Sequence, residues 1–148
     1  MREIKFRGKR IDNNKWVYGD LCHKACFELD KDVCCICNKE GDYEVYENTI
    51  GQYIGIKDDY GKEIYEGDIV EIEVERYEFD GESTYTNIIK GEIVYTDLSF
   101  AIKTGEHKGV PVLSTFVAER TLDCRIISDK WKVIGNVIDG IEEREGEE

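Results

Sequence analysis

Five of the six cysteines lie within residues 22–37, as Cys22, Cys26, Cys34, Cys35 and Cys37. Thiolates are soft ligands, and the spacings Cys22-x3-Cys26 and Cys34-x2-Cys37 come close to those of structural zinc sites, with His23 able to replace one sulfur. The surroundings argue the other way. No glycine lies between Cys34 and Cys37 to form a knuckle, and only seven residues separate the two pairs. Val33-Cys34-Cys35-Ile36-Cys37 also reads as a strand in which cysteine is a small apolar residue. Strand alternation puts Cys35 and Cys37 on one face and Cys34 on the other, which divides the second ligand pair. No metal ligand is therefore assigned. An intracellular setting argues against disulfides, and Cys34-x2-Cys37 lacks the βαβ surroundings of a redox motif.

The second set of residues with chemical potential is acidic. Gln52, Asp58, Glu66 and Asp68 lie in the stretch from Thr49 to Glu75. Grouped, they would make a polar site. Each, however, stands close to Gly51, Gly55, Gly61 or Gly67, where carboxylates and amides commonly accept hydrogen bonds from turn backbone. Turn and cap roles are the expectation. His107, between Glu106 and Lys108, reads as a solvated loop histidine, since a general base needs an orienting partner and a pocket. The chain has two histidines and lacks GxxxxGK[ST], GxGxxG and GxSxG. No catalytic, cofactor-binding or metal-binding residue is assigned, and no cofactor is expected.

The Thr49–Glu75 stretch also carries a resemblance. Thr49-x-Gly51-Gln52-Tyr53-x-Gly55-x-x-Asp58-x-x-Gly61-x-x-Ile64-Tyr65-Glu66-Gly67-Asp68-Ile69-Val70 resembles the YopX-like family of phage and prophage proteins. The opening Ile4-Lys5-Phe6-Arg7 with Trp16-Val17-Tyr18-Gly19, and the closing Val133-Ile134-Gly135-Asn136-Val137, agree with it. Residues 22–37 and 104–128 depart from the pattern. The resemblance implies a β-rich fold containing a small SH3-like barrel. It implies no activity, and no catalytic residues carry over from it.

The elements that must position these residues follow from periodicity. Residues 2–7 and Trp16–Leu21 form a hairpin around the turn Asp12–Lys15. Gly41-Asp42 is a turn, and Tyr43, Val45 and Ile50 bracket a strand. Asp58–Gly61 is a hairpin loop and Glu66-Gly67-Asp68 a tight corner. Val70, Ile72 and Val74 then alternate with Glu71, Glu73 and Glu75, as in a strand with one dry face. Glu78–Thr86 is a loop and Ile88–Thr96 a strand. Tyr95–Leu98 turns into a strand bearing Leu98, Phe100 and Ile102. Thr104–Gly109 is a loop, Leu113–Asp123 a short helix and Cys124–Ile127 a short strand. Trp131–Ile138 closes the fold, with Gly135 where a neighbour comes close. Strands meandering through short turns favour a small antiparallel barrel. The expected class is mainly β, as a β-rich α+β fold. Residues 1–141 form one domain, with a hairpin and insert region at 1–48 and a barrel-like core at 49–141. Residues 142–148 form an acidic tail.

The chain of 148 residues is 41% hydrophobic, enough for a core, and has a formal net charge of −13. So acidic a chain makes nucleic acid an unexpected partner, since phosphate backbones attract lysine and arginine. A basic stripe of Arg2, Lys5, Arg7, Lys9 and Arg10 stands against this trend, with Lys5, Arg7 and Lys9 on one strand face. No apolar run reaches the roughly 18–20 residues that span a bilayer, and the N-terminus does not read as a signal peptide. These features suggest a soluble protein of the bacterial cytoplasm, without a membrane partner. The expected function is that of a non-enzymatic phage or prophage accessory protein acting by protein–protein contact, as a homo-oligomer. The alternatives are a nucleic-acid-binding module of phage DNA metabolism and a structural-zinc variant of the same fold.

Overall fold

A computed structural model describes residues 1–26, 31–96, 99–103 and 126–141. The chain divides into two compact units, residues 1–56 and 57–148. The division falls inside the Thr49–Glu75 stretch.

In the first unit the strands are β1 (Phe6–Lys9), β2 (Trp16–Cys26), β3 (Lys31–Asn38), β4 (Gly41–Glu44) and β5 (Gly51–Lys57), with a 3-10 turn at Glu47–Thr49. They lie in the order β4-β3-β2-β1-β5, every neighbour antiparallel. The register pairs Arg7 with Tyr18, Lys9 with Trp16 and Cys22 with Cys35. Alternation sends the intervening residues to the other face, where Val17, Ile36 and Val45 form the core and Phe6, Leu21, Cys34, Tyr43 and Ile50 pack on it. The first strand starts later than expected, at Phe6, and Ile4 is exposed. Gly41-Asp42 belongs to β4 and is not a turn. The chain reverses one step earlier because the Asn38 side chain accepts the Glu40 amide at 2.9 Å, an Asx turn.

The second unit holds β6 (Glu63–Tyr65), β7 (Asp68–Tyr77), β8 (Thr84–Tyr95), β9 (Phe100–Lys103), β10 (Ile126–Asn136) and β11 (Gly140–Ile141). Its sheet runs β11-β10-β7-β8-β9, again antiparallel. Central β7 follows its alternation: Val70, Ile72 and Val74 are completely buried. Each contributes roughly 1.5–3 kcal/mol by leaving water. Gly135 has no room for a side chain, since a Cβ there would stand 2.1 Å from the Gly140 carbonyl oxygen.

Mainly β and antiparallel, the chain nevertheless forms no barrel among the described residues. Closure requires the last strand to pair with the first, whereas this sheet ends at β11 on one side and β9 on the other. β9 reaches only Glu92–Tyr95 of β8. The expected loop at 78–86 is shorter, because Tyr85 and Thr86 extend β8 opposite Arg76 and Glu75. Asp80 closes the remaining loop by accepting the amides of Glu82 and Ser83, each at 2.9 Å. The expected helix at Leu113–Asp123, the loop with His107, the start of the Cys124–Ile127 strand, Asp97-Leu98 and the acidic tail lie outside the described residues.

Candidate functional site

The acidic stretch was expected to serve turns and caps, and Asp58, Asp59 and Asp68 do bind backbone. In the loop between β5 and β6, Gly61 takes φ +83°, a conformation costly for other residues. Asp58 Oδ1 accepts the amides of Tyr60 at 2.9 Å and Lys62 at 2.8 Å, which fixes the loop. Its Oδ2 accepts the amide of Val133 in β10 at 3.0 Å. Asp59 Oδ2 accepts the amide of Trp131, and the Asp59 amide donates to the Trp131 carbonyl at 3.1 Å. The loop thus occupies the outer edge of β10 just before β11 pairs there. At the next corner, Asp68 Oδ2 accepts the Tyr65 amide at 2.8 Å, with Gly67 at φ +88°.

Asp58 is 7% exposed and Asp68 1%. A carboxylate so buried requires charge-assisted hydrogen bonds to offset its lost hydration, and backbone amides provide them. Glu66 is half-buried at the same corner. Gln52 sits on β5 in the first unit, opposite Phe6. Of the four polar candidates, Asp58 and Asp68 thus act as acceptors for turn and strand backbone, each at its own corner.

A feature with no local sequence signal lies beside the loop. Tyr60, Glu71, Glu73, Lys130 and Lys132 line an open cleft of about 290 Å³. The Lys130 and Lys132 ammonium groups stand 5.1 and 5.5 Å from the Tyr60 ring centre. The register sets Lys130 opposite Glu73 and Lys132 opposite Glu71, and Lys90 meets Glu71 at 3.2 Å from the other side. The hydrogen bond with Tyr60 pushes the Lys130 ammonium above its ordinary pKa. The cleft is a ladder of opposite charges covered by one ring, in which each charge has a neighbour of opposite sign.

In the first unit, the basic stripe is interleaved with aromatic rings. The Arg7 guanidinium lies 4.6 Å from the Trp16 ring and the Lys9 ammonium 5.7 Å from it. Lys5 stands 5.4 Å from the Tyr53 ring, and Arg10 packs at 4.2 Å on Tyr43. Arg7 is only 6% exposed, so much of this charge is turned to packing.

The cysteines diverge from expectation. Cys22 and Cys37 form a disulfide across β2 and β3. Reducing conditions were the argument against one, but the register sets these residues one alternation apart on the same face, which is within bonding reach. Cys34 faces the opposite side with the core, so Cys22, Cys34 and Cys37 do not converge; the Cys26 side chain lies outside the described residues. Burial pushes the Cys35 thiol up, while Lys24 pulls it down. His23 is exposed.

The YopX protein family matches residues 5–140. No curated protein matches the chain. The crystal structure of protein EF1440 from Enterococcus faecalis is similar over 93% of this chain and 94% of that one, with 17% identity and a TM-score of 0.45. Among the described residues no helix is long and apolar enough to cross a membrane.

Proposed function

The chain belongs to the YopX protein family, and from that premise we propose a phage or prophage accessory protein that works by binding other protein chains, its own copies first, and runs no reaction. The proposed setting is the cytoplasm of the bacterial host. One observation carries this reading: the outer edge of β8. Among the described residues, β9 covers only Glu92–Tyr95, and Thr84–Gly91 is paired on one side alone, with β7. An edge of this kind recruits another strand.

Composition favours a second copy of the same chain as that strand. Thr84–Gly91 holds one charge, Lys90, in a chain of net charge −13. A nearly neutral, β-branched segment is where two such acidic chains can meet without strong repulsion, antiparallel about a two-fold axis. Ile88 is 61% exposed on this strand and Phe79 92% exposed at the tip of the same hairpin. The buried carboxylates of the acidic stretch, occupied with backbone, also agree with a role in geometry. Light scattering at high micromolar concentration tests the proposal. A dimer that Ile88→Lys dissociates is expected; a strict monomer removes the self-association.

A second reading, a module for single-stranded nucleic acid, is favoured by Trp16 between Arg7 and Lys9 with Tyr18 exposed beside it. It predicts salt-dependent binding of single-stranded DNA. Absence of binding at low salt eliminates it.

A further inference from the structure

Strands β2 and β3 place three cysteines on one face. Cys22 stands directly opposite Cys35 and is bonded to Cys37, with 6.8 Å between the Cα atoms. Directly opposed residues hold their Cβ atoms about 4.5–5.5 Å apart. Cys35 and Cys37 are two residues apart on one strand, roughly 6.5–7 Å. The three positions form a compact triangle with Cys22 at its apex. Thiolates that share one cation at about 2.3 Å lie about 4 Å from each other, a separation that χ1 rotation from this triangle reaches.

With the Cys22–Cys37 bridge closed, no three His, Cys, Asp or Glu side chains among the described residues stand grouped to hold a metal ion; the neighbours show what reduction would add. On β4, Glu44 lies opposite Cys35 and Asp42 opposite Cys37. Asp42 is held by Lys24, which leaves Glu44 as the carboxylate placed to complete a fourth position. Cys35 is 4% exposed, so the inner corner of the triangle is dry.

We propose that, once the Cys22–Cys37 disulfide is reduced, Cys22, Cys35 and Cys37 bind one thiophilic divalent cation of the zinc class, with Glu44 as the fourth ligand. This set replaces the Cys34-containing one that spacing suggests, and it holds whether or not the chain self-associates. The chemistry balances. Two molecules of a low-molecular-weight thiol give the bridge two electrons and two protons and leave as their own disulfide. The cation then displaces the protons of three thiols into solvent. The two states exclude each other: oxidised, the face carries a covalent staple; reduced, it carries a metal site.

Cadmium titration of the full-length protein, followed by thiolate-to-metal absorbance, tests this. Reduced wild type should take up one cadmium per chain, as should Cys26→Ser and Cys34→Ser. Cys35→Ser should lose this binding with its circular dichroism unchanged, and the unreduced protein should show none. Cadmium should also protect Cys22 and Cys37 of reduced wild type from alkylation, a readout that needs no folded variant. The proposal is overturned if reduced wild type takes no cadmium, or if the oxidised protein binds it equally. Loss of binding in Cys34→Ser or Cys26→Ser, or unchanged alkylation of Cys22 and Cys37, overturns it too.

Discussion

The end strands of the second unit's sheet, β11 and β9, are short, so the longer strands β10 and β8 each run on past them with an outer side of their own, and the chain treats the two differently. At β10, the loop 58–62 lies against the strand, and Asp58 and Asp59 accept the outward amides of Val133 and Trp131. At β8, the described residues leave Thr84–Gly91 paired only with β7. The closed edge uses acidic side chains as acceptors where a partner strand would supply carbonyls. At the open edge, one lysine is the whole of the charge that could repel a partner strand. Blocking an edge and presenting an edge are opposite solutions to one problem of unpaired backbone. The contrast supports the proposed roles, geometry for the acidic loop and contact for the β8 edge.

Asp58→Ala should have the largest effect. It strips the acceptor from three backbone amides at once, those of Tyr60, Lys62 and Val133. Leaving buried donors unpaired costs roughly 1–3 kcal/mol each, and partial hydration of the loop brings the expected total to about 3–5 kcal/mol by urea denaturation. The same variant should associate more readily in light scattering, because it opens a second edge. Asp59→Ala removes only the tie to the Trp131 amide from an exposed residue, and about 1 kcal/mol is expected.

Ile88→Lys should shift urea stability by less than about 0.5 kcal/mol, as surface changes do, while changing the oligomeric state. A large loss of stability there would mean that the edge is covered and the contrast between the two edges is false. The smallest effect concerns acid. Asp12 and Asp80 titrate below the ordinary carboxylate range, Asp12 through the Arg10 side chain and Asp80 through the Ser83 hydroxyl. A lowered folded-state pKa gives a contribution that is complete above the ordinary value and fades as pH falls through the lowered one. Because both groups are exposed, Asp12→Asn and Asp80→Asn should scarcely change an acid-unfolding curve.

Local order in this sequence was the legible part. The alternation of Val70, Ile72 and Val74 with three glutamates announced β7, and Gly135 announced a close approach. Asp58 and Gly61 announced a loop held by its own side chain. What local pattern could not reach was the partner of Asp58, an amide 75 residues further along the chain. Barrel closure, expected from the sequence and not found among the described residues, lay beyond local pattern for a related reason: a meander of strands says which neighbours pair, but whether the ends meet depends on stagger across the whole sheet. The alternation of Cys34 and Cys35 was readable in β3. The register against β2, which sets Cys22 across from Cys35 and within reach of Cys37, was not. Tyr60 over Lys130 and Lys132 gave no signal, since its neighbours come from a distant strand.

Native-state hydrogen exchange at the amides of Tyr60, Lys62 and Val133 tests the central claim most directly. In wild type these amides should be protected although Tyr60 and Lys62 lie in or beside a surface loop, and in Asp58→Ala all three should lose protection together while the β7 amides opposite β8 keep theirs. Unprotected loop amides in wild type, or protection that survives removal of the carboxylate, would contradict the account and return Asp58 to the list of residues in need of a function.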